Sequence, residues 1–99
     1  MMLRREDFIW CVGYQGNAAV VDSRAKKAYG KLSSRQLLEK GLFRSACSAA
    51  MYDQSEPDMQ LVISAYNELT GAGITGTDEM KRLLGISAVP EEINTVIRV

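Results

Sequence analysis

The chain has no histidine. That removes the usual metal ligand, the usual acid-base group near neutrality, and every Ser-His or Cys-His arrangement. Cysteine is almost as scarce. Cys11 and Cys47 each lie inside an apolar pattern with no CxxC spacing, so they read as reduced core thiols rather than as part of a disulfide framework. No apolar run approaches the roughly 20 residues needed to span a bilayer. Arg4, Arg5, Glu6 and Asp7 precede a short apolar stretch that turns polar by Gln15, which is not a signal-peptide pattern. No stretch is polar or repetitive enough to stay unfolded. These absences leave a soluble, cytoplasmic chain of 99 residues, long enough to bury a core without metal or disulfide and expected to form one domain, 1–99.

The strongest local signal is an N-terminal β-hairpin over residues 8–23. Phe8 to Tyr14 is rich in aromatic and branched side chains, Gln15-Gly16-Asn17 interrupts it, and Ala18 to Val21 resumes it. Gly16 and Asn17 both tolerate the positive φ of a tight primed turn. With Phe8, Trp10, Val12 and Tyr14 on one face and Ile9, Cys11 and Gly13 on the other, the first strand is apolar on both sides and is expected at the centre of a sheet.

Helical signals follow. Asp22 or Ser23 can cap a short helix over 24–29 that Gly30 would stop. Ser33 and Gln36 have capping-box spacing and start a helix that ends at Gly41. Leu42, Phe43, Ala46, Cys47, Ala50 and Met51 share one helical face, padded by small residues, which predicts a central helix over 42–52. Ser55 then caps Glu56-Pro57-Asp58, and Met59, Val62, Ile63, Tyr66 and Leu69 keep helical spacing to about residue 70. Thr77 caps a helix over 78–84 that Gly85 stops, and the β-branched alternation of Ile93, Thr95, Ile97 and Val99 predicts a terminal strand able to pair with the hairpin. The fold class is therefore α+β: a hairpin and a C-terminal strand forming a small sheet, packed with about four short helices.

Several motifs invite a functional reading. Gly71-Ala72-Gly73-Ile74-Thr75-Gly76 matches GxGxxG, but that fingerprint needs a strand leading into it, and an amphipathic helix precedes it here. A helix C-cap and connector account for the letters. Thr77 to Ser87 looks like the first helix and turn of a bacterial helix-turn-helix, yet the helix that should follow is interrupted at Pro90 and opens with Glu91-Glu92, which repel phosphate. Leu32 to Ala50, with Gly41 as the turn glycine, offers a second such pattern, with Gln36 and Lys40 where apolar anchors normally stand. Gly13-Tyr14-Gln15-Gly16 has the outline of a nucleic-acid-binding GxxG loop but joins two strands rather than two helices. No nucleophile, base and orienting group can be assembled, and the pairs Asp78-Glu79 and Glu91-Glu92 are explained by helix dipoles or solubility. No catalytic residue, metal, cofactor or small-molecule site is expected.

Charge and exposed aromatics carry what remains. Residues 1–52 hold nine Lys/Arg and four Asp/Glu, and residues 53–99 hold three and eight, so the halves are about +5 and −5 around a net charge of zero. The basic excess lies in Arg24, Lys26, Lys27, Lys31, Arg35, Lys40 and Arg44, a candidate anion- or partner-binding face. Zero net charge lacks the basicity of a nucleic-acid-binding domain, so neutralisation by the acidic half is favoured. Trp10 and Tyr14, placed on one strand face, are a candidate association surface if the sheet lacks cover. The chain is expected to be a non-enzymatic protein-interaction or regulatory module that binds a partner protein or itself as a homodimer. The alternative is a small DNA-binding transcriptional regulator using residues 24–44.

Overall fold

Residues 4–86, 93 and 95–99 are described by a computed structural model, in which they form six helices and one three-stranded sheet. The α+β class is thus as expected. The chain divides into two compact units, Met1–Lys31 with Ala88–Val99 as unit 1, and Leu32–Ser87 as unit 2.

Unit 1 carries the sheet. Helix α1 (Arg5–Ile9) leads through Trp10 into β1 (Cys11–Gln15), a tight turn, β2 (Ala18–Val21) and helix α2 (Ser23–Tyr29), while β3 (Thr95–Arg98) returns from the far end of the sequence. The hairpin has the expected turn: Gln15 pairs with Ala18 across Gly16-Asn17, and only Gly16 takes positive φ, at 58°, the pattern of a turn with glycine first. Two expectations are corrected. Phe8 and Ile9 belong to α1, whose first turn carries Glu6 and Asp7, the signs a helix N-terminus favours. β1 is also an edge strand, because the order is β1-β2-β3 and β2 takes the centre, antiparallel to β1 and parallel to β3. β2 can sit there because its short run Ala-Ala-Val-Val is apolar on both faces.

A bulge at Val12 decides which side chains face inward. Cys11 pairs with Val21 and Gly13 with Val20, so Val12 is an extra residue opposite no partner. Cys11 and Tyr14, three residues apart, would point to opposite faces of a regular strand. The inserted residue brings them to the same side, where Tyr14 and Val96 pack with Phe8 around buried Cys11, Ala19 and Ile93. In β3 the inward residue is accordingly Val96 rather than Ile97. Asn94 lies outside the described residues.

Unit 2 is helical: α3 (Ser34–Glu39), α4 (Phe43–Tyr52), α5 (Glu56–Thr70) and α6 (Thr77–Leu84). The Ser33–Gln36 capping box is present, with both reciprocal bonds made. Ser55 caps α5 through the Asp58 N–H, whereas Thr77 lies inside α6, whose N-cap is Gly76 without a side-chain bond. As expected, α4 is the central helix of the unit. Residues 45–50 of α4 are all buried, and it packs against α3 and α5. Their small side chains let neighbouring helix axes come close, and buried Ser34 donates from Oγ to the Ala46 carbonyl at 2.7 Å. Met59, Val62 and Ile63 of α5 are buried in turn, each contributing about 1.5–3 kcal/mol of apolar burial.

Candidate functional site

The seven basic residues divide by what they already hold. Lys26 is committed to buried Asp7 at 2.6 Å. Arg35 donates from Nε to Asp58 at 3.1 Å, and Arg44 donates from Nε to the Leu84 carbonyl at 3.2 Å, at the end of α6. Lys40 is exposed and has an interaction of its own. Arg24, Lys27 and Lys31 remain, exposed and without an ion pair among the described residues. Their spacing of three and four follows one side of α2 and its extension. Arg24, Lys26, Lys27 and Lys31 belong to unit 1, and Arg35, Lys40 and Arg44 to unit 2.

The helix-turn-helix over Leu32 to Ala50 can be assessed from α3 and α4. These helices are joined through Lys40-Gly41-Leu42, with Gly41 at φ 75°. A reading helix must offer a polar exposed face to a DNA groove. Burial of residues 45–50 leaves α4 none over its middle. For the second pattern, α6 ends at Gly85 in the left-handed region, and residues 87–92, where its recognition helix would start, lie outside the described residues. The GxGxxG segment has a structural role: Gly71 caps α5, and Asn67 pins Ile74 by accepting from its N–H and donating to its carbonyl, both at 2.7 Å. That N–H is unavailable to a phosphate.

The aromatic pair is not an open surface. Trp10 is only 9% exposed, at the C-cap of α1 rather than on a strand, and its ring lies 5.8 Å from Tyr29. Tyr14 is half-buried on the inward face. In unit 1 the exposed aliphatic area lies instead on Val12, Ile97 and Val99, at 60%, 40% and 67%. The bulge pushes Val12 out, and Ile97 and Val99 share the sheet face opposite Val96. Among the described residues the polar members of that face are Gln15 and Thr95, and no side chain on it is charged. Sequence reading missed this face because the bulge reverses the parity of β1, which no residue pattern announces.

A second feature lies within unit 2, a cleft of about 340 Å³ between the end of α4 and the starts of α5 and α6. Ala50, Met51 and Met59 form its apolar floor, and Gln54, Ser55, Glu56, Thr77 and Lys81 its polar rim. Cys47 is fully buried, with its Sγ 3.7 Å from the Met59 Sδ. Burial raises the Cys47 thiol pKa to about 11, against the opposing pull of the Lys81 and Arg44 cations. Cys11 is buried too and donates from Sγ to the Gly13 carbonyl at 3.2 Å. No helix among the described residues is long and apolar enough to cross a membrane, and no three of their acidic or cysteine side chains gather as a metal site.

Comparison with known proteins finds no matching family model, no matching curated protein and no matching solved structure.

Proposed function

We propose that the chain is a non-enzymatic, cytoplasmic protein-interaction module whose partner at the outward sheet face of unit 1 is a second copy of itself. The observation that carries this reading is the exposure of Val12, Ile97 and Val99 on a face with no charged side chain among the described residues. Two copies can meet there about a two-fold axis without burying a charged side chain of the described residues.

The non-enzymatic reading is supported by Cys47, which is protonated at neutral pH and therefore a poor nucleophile. A reducing cytoplasm suits two free, buried thiols. The DNA-binding alternative through residues 24–44 draws less support, because Lys26, Arg35 and Arg44 already have intramolecular partners and α4 is buried.

Light scattering on the full chain at micromolar concentration tests the proposal. The expected mass is that of a dimer, reduced to a monomer in the Val12→Glu/Ile97→Glu variant with an unchanged circular dichroism spectrum. A wild-type monomer throughout that range overturns it.

A further inference from the structure

Three helices of unit 2 end in the same way, and one of them uses a residue that does not suit it. In α3, Gly41 donates to Leu38 and Leu42 to Leu37, while in α6, Gly85 donates to Arg82 and Ile86 to Lys81. These are Schellman caps, in which the residue after the helix takes a left-handed conformation, and glycine takes it at both. α4 closes with the same pair of bonds, Gln54 to Met51 and Ser55 to Ala50, but here the left-handed residue is Gln54, at φ 52°. A side chain at that φ is strained. The Gln54 amide makes no hydrogen bond to another described residue, yet it stands on the cleft rim.

The rest of the rim supplies opposite charges. Glu56 is exposed and held by the Gln60 amide, which donates to its Oε1 at 2.8 Å. Lys81 is half-buried, and its ammonium rests 3.7 Å from the exposed Asp78 carboxylate. The two line one cleft without forming an ion pair with each other. The same cleft is lined by Ala50, Met51 and Met59, and the unbranched thioethers of the methionines adapt to apolar shapes. A lone anion would be repelled by Glu56 and a lone cation by Lys81, whereas a molecule carrying both charges satisfies both. A cleft of about 340 Å³ has room for a molecule the size of one amino acid.

We propose that this cleft binds a free apolar α-amino acid, its carboxylate on Lys81, its ammonium on Glu56 beside the Gln54 amide, and its side chain on the methionine floor. This site is independent of the sheet face of unit 1.

The test uses the full chain labelled at its methionine methyl groups, with Met51 and Met59 assigned by substitution and followed by NMR. Leucine is titrated in parallel with 4-methylpentanoate, which lacks the amine, and 3-methylbutylamine, which lacks the carboxylate. Leucine is expected to shift both methyl signals saturably at millimolar concentration, with each one-charge analogue about tenfold weaker or more. Lys81→Gln should weaken leucine by a similar factor and leave the amine unaffected, and Glu56→Gln should weaken leucine and spare the acid. Both substitutions lie at the rim, and an unchanged methyl spectrum without ligand verifies that each variant folds. No saturable shift, equal affinity for all three compounds, or indifference to both substitutions overturns the proposal.

Discussion

The Lys26 ammonium donates to the Asp7 carboxylate at 2.6 Å, tying α2 to α1 across 19 residues of sequence. Asp7 keeps only 5% of its side chain exposed, so this bond satisfies a carboxylate that water scarcely reaches. Lys26→Met is therefore expected to destabilise the chain by about 2 kcal/mol, because it strands a buried charge. Removing both groups as Asp7→Leu/Lys26→Met should cost less than the sum of the single changes. Urea unfolding of the four proteins in the cycle measures it, and additive costs would show that the pair is not coupled.

That bond also explains what could and could not be read from the residues alone. Caps are local, so the Ser33–Gln36 box, the Ser55 cap and the glycine stops at Gly71 and Gly85 were legible from spacing of a few residues. Residues 5–9 were not, since Phe8, Ile9 and Trp10 have strand-forming side chains and their helix is held by Lys26, far along the chain. The edge position of β1 depends on a parallel partnership between β2 and β3, and the inward set of β1 on an inserted Val12. The cleft is less legible still. Its lining comes from three helices and a connector, and it has no motif because its residues meet only after α4, α5 and α6 have packed.

Gln54→Gly should stabilise the chain. Glycine enters the left-handed region without the side-chain penalty, and the two backbone bonds of the cap do not involve the amide that is lost. The expected gain is about 0.5–1 kcal/mol, reduced by the greater freedom of glycine in the unfolded chain. A higher urea midpoint with an unchanged slope is the signature, and a lower midpoint would mean that the Gln54 side chain supports the fold.

Asn67 makes the connector after α5 a fixed element rather than a flexible one. Its amide holds both backbone groups of Ile74. Asn67→Ala should cost about 2 kcal/mol by leaving those groups without partners. Asn67→Asp should be no better than alanine, because a carboxylate can accept from the Ile74 N–H but cannot donate to its carbonyl. Full rescue by aspartate in thermal unfolding would contradict the two-bond arrangement.

Cys47 links the unit 2 core to pH. Its thiol titrates at an ordinary 9.0 when unfolded and at about 11 when folded, chiefly because burial disfavours the thiolate. Below pH 9 both states hold the proton, and the stabilisation is fully present. As pH rises from 9 towards 11 the unfolded chain ionises first, so stability falls, by about 3 kcal/mol at most. Tyrosine and lysine titrate in the same window, so the comparison is with Cys47→Ala, which shares those groups. At pH 8 the variant should be less stable, through loss of the buried sulfur and its contact with Met59. The gap between the two proteins should then narrow as the pH approaches 10.5, since only the wild type has a thiol to ionise on unfolding. In parallel, iodoacetamide should leave Cys47 unmodified in the folded chain at pH 8 and label it once urea unfolds the protein. A gap that is constant with pH, or labelling of the folded chain at the unfolded rate, would show that this thiol is not held in its protonated form by burial.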